Sequence, residues 1–143
     1  MPNGGKIFVD ADAFVSLVNP DDGNHHDAVA ISKYIKFHNL ELMTSNFAIG
    51  EAITVISQET TLKKAVEFGK DVFSGSEVLV IDVDRSHQLR ALEKMSHATS
   101  KNVRFTDFVN MVLMKELDIA TIFSFDRHYR QAGFTLLTPQ TVL

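Results

Sequence analysis

The chain has 143 residues, 45% hydrophobic and 22% charged, with a formal net charge of -4 and no cysteine. That length suits one domain with a real core, and the composition is that of an ordinary globular protein. A disulfide framework and a thiolate zinc site are excluded, no run approaches the ~18 apolar residues of a membrane span, and the acidic balance argues mildly against a nucleic-acid binder.

The start, Met1-Pro2-Asn3-Gly4-Gly5, leads straight into a strand and has no signal-peptide pattern, so a cytoplasmic location is expected. Residues 6–10 read as a first strand, apolar enough to be buried on both faces. Residues 12–18 read as a short helix, with Asp12 available as its cap and Phe14, Val15, Leu17 and Val18 as its apolar face. Residues 19–24 are a turn rich in breakers. A second helix is expected over 25–37, with a buried stripe of Ala28, Ile31, Ile35 and Phe37, until Asn39 breaks it.

Residues 40–44 form a short predicted strand, and Ser45 can cap the helix that carries Phe47, Ile49, Ala52, Ile53 and Ile56. Another helix runs over about 60–73 and stops at Gly75. The β-branched run at 78–81 predicts a third strand. Asp84 starts a helix that extends to about Ala98, before a polar linker at 98–102. Thr106 is the expected cap of a helix with Phe108, Val109, Val112, Leu113 and Met114. A strand at 121–125, a short turn or helix ended by Gly133, and a last strand at 134–137 follow, and Pro139 closes the fold.

Short strands alternating with helices argue for an α/β fold with a mostly parallel sheet covered on both faces. In such sheets a site lies beyond the carboxyl ends of the strands, at a switch in strand order. Asp10 and Asp126 each leave a predicted strand, and Glu51 and Asp107 sit near the front of predicted helices. Asp10 and Asp126 would meet if the first and fourth strands were neighbours, which the pattern leaves open. Clustered carboxylates need a counter-charge, and magnesium or manganese prefers such oxygen donors.

Each acid also has an ordinary reading. Asp107 suits a helix N-terminus, Glu51 a solvated helix face, and Asp12 either a helix cap or support for a ligand. Thr106 and Ser124 flank the acids, where their hydroxyls could support ligands or serve as a cap and a strand end. His25 starts a helix near the first strand's exit and is a candidate for substrate contact. Arg127 and Arg130 adjoin Asp126 and are the first candidates to meet a phosphate backbone. No histidine spacing marks a zinc site, and no serine has a nucleophile-elbow context. Asn3-Gly4-Gly5-Lys6 precedes a strand instead of following it, so it is no phosphate loop.

Four stretches in this order resemble a PIN domain: Phe8-Val9-Asp10-Ala11-Asp12-Ala13-Phe14, then Glu51-Ala52, then Phe105-Thr106-Asp107-Phe108, then Ile122-Phe123-Ser124-Phe125-Asp126-Arg127-His128-Tyr129 followed by Gly133-Phe134. They span essentially the whole chain and are most similar to the VapC-type toxin nucleases of prokaryotic toxin–antitoxin pairs. The resemblance implies a PIN-like three-layer sandwich whose five-stranded sheet has the order 3-2-1-4-5, with strands one and four adjacent. It implies that Asp10, Glu51, Asp107 and Asp126 bind Mg²⁺ or Mn²⁺, and that the activity is cleavage of single-stranded or loop RNA. It implies a homodimer and a small antitoxin partner. Many relatives carry serine, threonine or asparagine where this chain has Asp12, a departure that adds a carboxylate. The helices at 46–57 and 60–73 offer Phe47, Ile53, Ile56, Leu62, Val66 and Phe73 either to a dimer surface or to the sheet.

The residues leave rivals: a nuclease acting on DNA or on nucleic-acid structure with the same site, an RNA-binding protein without turnover, and a phosphatase using an aspartyl nucleophile, for which Asp10-Ala11-Asp12 is a minimal match.

Overall fold

A computed structural model describes residues 5–142 of the chain. The chain start at residues 1–4, read above as the approach to the first strand, lies outside the described residues. The elements run β1 (Lys6–Val9), α1 (Ala11–Val18), α2 (His25–Phe37), β2 (Glu41–Ser45), α3 (Asn46–Glu59), α4 (Leu62–Ser74), β3 (Val78–Ile81), α5 (Arg85–Ser96), α6 (Phe105–Glu116), β4 (Thr121–Phe123), α7 (His128–Gln131), β5 (Thr135–Leu136) and α8 (Pro139–Val142).

The strands form one five-stranded sheet in the order β3-β2-β1-β4-β5, and every pairing is parallel. Side chains alternate across β1, and so does the core. Ile7 and Val9 join α1, α2, α3 and α4 on one face, through Phe14, Ile31, Ile49, Ile56 and Phe68. Phe8 faces the other way, onto Ala91 of α5, Val109 and Leu113 of α6, and Tyr129 of α7. β1 is central and needs apolar residues on both faces, so its alternation is hidden in the sequence. β3 is an edge, and its Leu79 is 60% exposed.

Several local expectations need correction. The cap of α1 is Asp10, whose side chain accepts from the backbone N of Ala11; Asp12 lies in the first turn. β1 therefore ends at Val9, one residue before the expected boundary. Phe37 is 82% exposed: it lies two residues after Ile35, about 200° further around the helix and away from the buried stripe. Thr106 is inside α6; the preceding Arg104 holds the cap position in extended backbone. The fourth strand stops at Phe123, two residues short of the expected end. Pro139 opens the short α8 instead of ending the chain's regular structure. Ser45 caps α3 as expected, with its hydroxyl accepting from Ala48 N at 3.0 Å.

Of the six apolar residues weighed as dimer or sheet contacts, Ile56 is fully buried, while Leu62, Val66 and Phe73 are 75%, 51% and 57% exposed along α4. Phe47 and Ile53 are partly buried against the core. Gly69 lets the two helices approach, since a Cβ there would stand 2.9 Å from Ile53 Cδ1. Among the described residues no helix is long and apolar enough to cross a membrane.

Candidate metal centre

The site grows out of the sheet register. Val9 of β1 is paired with Phe123 of β4, and Asp10 N continues the ladder by donating to Phe123 O at 3.1 Å. One residue further along each strand, the side chains of Asp10 and Ser124 meet, and Ser124 Oγ donates to Asp10 Oδ2 at 3.1 Å. The chain leaves β1 toward β2 on one side, while β4 lies on the other. This is the switch in strand order where a crevice opens.

Asp10 is 4% exposed. Its Oδ1 accepts from Ala11 N at 2.8 Å and from Asn110 Nδ2 at 3.1 Å. Burial pushes its carboxyl well above the usual range, and the charges of Asp12 and Asp107 add to that shift. Asp12 Oδ2 accepts from Phe125 N at 2.9 Å and Ser124 Oγ at 3.2 Å, while its Oδ1 is buried with no hydrogen-bond partner. Burial raises the Asp12 carboxyl from 3.8 to about 6, against the lowering effect of those hydrogen bonds. Asp12 is thus tied to Ser124 and the β4 exit through one oxygen, with the other left over.

α6 supplies the third acid. Asp107 is in its first turn, 4% exposed. Its Oδ2 accepts from Arg104 N at 3.0 Å and its Oδ1 from Tyr129 OH at 3.1 Å. Burial raises its carboxyl, and Asp126 adds repulsion. Asn110, nearly one turn on, donates to both Asp10 and the Tyr129 oxygen, the latter at 3.0 Å. Asn110 and Tyr129 are fully buried, and they tie the carboxylates of β1 and α6 together. Tyr129 is therefore a core residue and cannot stack on a base from this position.

Asp126 turns back into the site through its own loop. Its N–H donates to Ser124 Oγ at 3.1 Å, and its Oδ1 accepts from His128 N at 2.9 Å. His128 Nδ1 lies 2.7 Å from the same oxygen, yet off the line of a hydrogen bond, so this buried nitrogen has no hydrogen-bond partner. One ligand atom each from Asp107, Asp126 and His128 lies within 4.8 Å of the others, a potential Asp/Asp/His metal cluster.

Glu51 does not join that trio. It projects from α3, and Arg104 Nη1 donates to its Oε1 at 3.3 Å. Arg104 in turn contributes its backbone N–H to Asp107, so one residue links both acids. Glu51, Arg104, Asp12, Asp22 and Glu59 line a groove of about 230 Å³ beside the cluster. The neighbouring carboxylates hold the Arg104 guanidinium above its usual range, Glu51 first. His25 starts α2, and its Nδ1 lies 2.7 Å from Ser16 O. Arg127 and Arg130 are exposed. Thr106 sits between Phe105 and Asp107 in the first turn of α6.

The donor set fits a divalent cation. Three acids are pushed toward protonation by burial and mutual repulsion, and two ligand-type atoms, Asp12 Oδ1 and His128 Nδ1, are buried without a hydrogen-bond partner. A metal ion answers both features. Sequence reasoning found the acids but not Asn110, which looks like one polar residue in an apolar helix. Its signal was there: it stands three positions after Asp107, on the same helix face.

Comparison with known proteins agrees with this geometry. The profile of the PIN domain matches residues 7–135. The 23S rRNA-specific endonuclease VapC20 of Mycobacterium tuberculosis is 25% identical over 134 residues, covering 94% of this chain and 99% of its own length, in each of two strains. A crystal structure of VapC20 from that organism, described as a toxin that cleaves the Sarcin-Ricin loop, superposes with a TM-score of 0.83 at 25% identity, covering 93% of this chain and 99% of that one.

Proposed function

We propose, on the premise that this chain belongs to the PIN domain family, that it is a metal-dependent endoribonuclease and the toxin of a toxin–antitoxin pair. The observation that carries the reading is the convergence of buried acids at the β1/β4 switch point in a chain aligned over nearly its full length with a VapC ribonuclease. The whole chain, residues 1–143, acts as one nuclease domain, and its location is the cytoplasm.

Asp10, Asp107 and Asp126 hold Mg²⁺ or Mn²⁺, and Glu51 completes the site once Arg104 releases it. A divalent ion held there would supply activation of the attacking water and charge neutralisation at the phosphoryl oxygens. The chain's own residues do the rest. Asn110 and Tyr129 fix the Oδ1 atoms of Asp10 and Asp107, and Ser124 sets the orientation of Asp10 and Asp12. Arg127 and Arg130, exposed beside Asp126, meet the RNA backbone. His25, held against Ser16 O beside the groove-lining Asn24, is a further contact. Thr106 supports the first turn of α6.

Cleavage leaves a 5′-phosphate and a 3′-hydroxyl, without use of the RNA 2′-hydroxyl as nucleophile. The relatives suggest ribosomal RNA as the first substrate to try. The apolar α4 face of Leu62, Val66 and Phe73 suits a homodimer, and an antitoxin tail would enter the crevice. The test is incubation with purified ribosomes, naked single-stranded RNA and single-stranded DNA, each with Mg²⁺, Mn²⁺ or EDTA. Metal-dependent cuts in RNA alone are expected. Cleavage of DNA in preference would move the activity to the DNA-nuclease reading.

A further inference from the structure

We infer that His128 is a direct nitrogen ligand of the metal, so that this centre prefers Mn²⁺ to Mg²⁺; the inference rests on the metal-centre reading above and deepens it. The imidazole is held in place before any ion arrives. It follows Asp126 by two residues at the start of α7, and its own backbone N–H is bonded to Asp126 Oδ1 at 2.9 Å. Its Nδ1 is brought to 2.7 Å from that carboxylate oxygen. At that distance a ring N–H would normally point along the N···O line. Here it does not, and the buried nitrogen has no hydrogen-bond partner, only the short contact to Asp126.

Two close electron-rich atoms without a proton aligned between them suit a cation that both face. Asp107 supplies the third donor within 4.8 Å, its carboxylate held in place by Arg104 N on Oδ2 and Tyr129 OH on Oδ1. A structural histidine would instead direct Nδ1 at a carbonyl or carboxylate with good alignment, as His25 is placed against Ser16 O.

The donor type sets the metal. Magnesium favours oxygen ligands and water, whereas an imidazole nitrogen favours the borderline transition ions. An Asp/Asp/His trio thus discriminates for Mn²⁺ in a way that an all-carboxylate trio does not.

The test uses the full chain loaded with Mn²⁺ and read by pulsed electron paramagnetic resonance. Direct imidazole ligation predicts a ¹⁴N modulation on the Mn²⁺ echo that changes when histidine is supplied as ¹⁵N. The modulation is expected to vanish in His128→Gln, with His128→Asn as the second variant should the first fail to fold. Calorimetry on the same proteins is expected to show Mn²⁺ affinity falling roughly tenfold or more, with Mg²⁺ affinity changing far less. Mn²⁺ binding without nitrogen modulation would overturn the ligand assignment while leaving the metal centre in place. A modulation that persists in both variants would also overturn it, since another histidine would be the source. Failure of Mn²⁺ to bind at all would overturn this inference, and RNA cleavage assayed in parallel with Mg²⁺ would show whether the nuclease reading survives.

Discussion

Asp12 is the acid whose removal has the clearest sign. In the metal-free protein its carboxyl is raised from 3.8 to about 6, first by burial and further by the charge of Asp126. A carboxyl raised by folding destabilises the folded state once it ionises. The penalty is absent below the unfolded value of 3.8, grows as pH rises, and is complete above about 6. At about 1.4 kcal/mol per pH unit, that interval corresponds to roughly 3 kcal/mol at neutral pH.

Asp12→Asn removes the charge and keeps an acceptor for Phe125 N and Ser124 Oγ. Its amide nitrogen then replaces Oδ1, which is buried without a partner, at a cost of roughly 1 kcal/mol. The relief outweighs the cost. The variant should be about 1–2 kcal/mol more stable than the wild type at pH 7.5 in EDTA, raising Tm by roughly 3–8 °C. The advantage should disappear near pH 4, where the folded-state carboxyl is protonated and most of the ionisation penalty has gone. Saturating Mg²⁺ should narrow or reverse it, because the wild-type carboxylate then faces a cation. Thermal unfolding followed by circular dichroism over this pH range decides the matter. A variant that is less stable in EDTA at pH 7.5, or one whose difference does not depend on pH, would refute the repulsion argument.

Other outcomes follow from the same geometry. Tyr129→Phe deletes the donor to Asp107 Oδ1 and the acceptor for Asn110 Nδ2, so urea denaturation should show a loss of about 1–3 kcal/mol; a change under ~0.5 kcal/mol would mean that water replaces the hydroxyl. Arg104→Gln should change stability by less than ~1 kcal/mol, because its side chain is 70% exposed in the ion pair with Glu51, and calorimetry should find metal binding no weaker than in the wild type once Glu51 is free. The double variant Arg127→Ala/Arg130→Ala should flatten the salt dependence of RNA binding by about 1.4 in log–log slope, if each arginine neutralises one single-strand phosphate; an unchanged slope would remove both from the RNA path.

The strand exits were legible because dense apolar runs end at Asp10 and close to Asp126. The cap exchange at α1 was not. Asp10 and Asp12 are both good cap residues, and only the backbone shows that the helix begins at Ala11. Adjacency of β1 and β4 is a long-range fact that no local pattern carries; it came from the family resemblance, and the observed order agrees. His128 was passed over because metal spacing was sought among histidines, whereas its partners are Asp126, two residues away, and Asp107, brought in from another helix. Asn110 and Tyr129 were hidden for a related reason. Their polar atoms matter only when the helices that carry them close over the sheet.

The most direct measurement is cleavage of end-labelled RNA by the wild type and by Asp10→Asn, each confirmed folded by its thermal transition, in Mg²⁺, Mn²⁺ and EDTA. Metal-dependent hydrolysis at the β1/β4 crevice predicts discrete products with 5′-phosphates from the wild type, none in EDTA, and a loss of at least ~100-fold in Asp10→Asn, on the scale of other lost charge-stabilising groups. Undiminished cleavage by folded Asp10→Asn, or equal cleavage in EDTA, would contradict it.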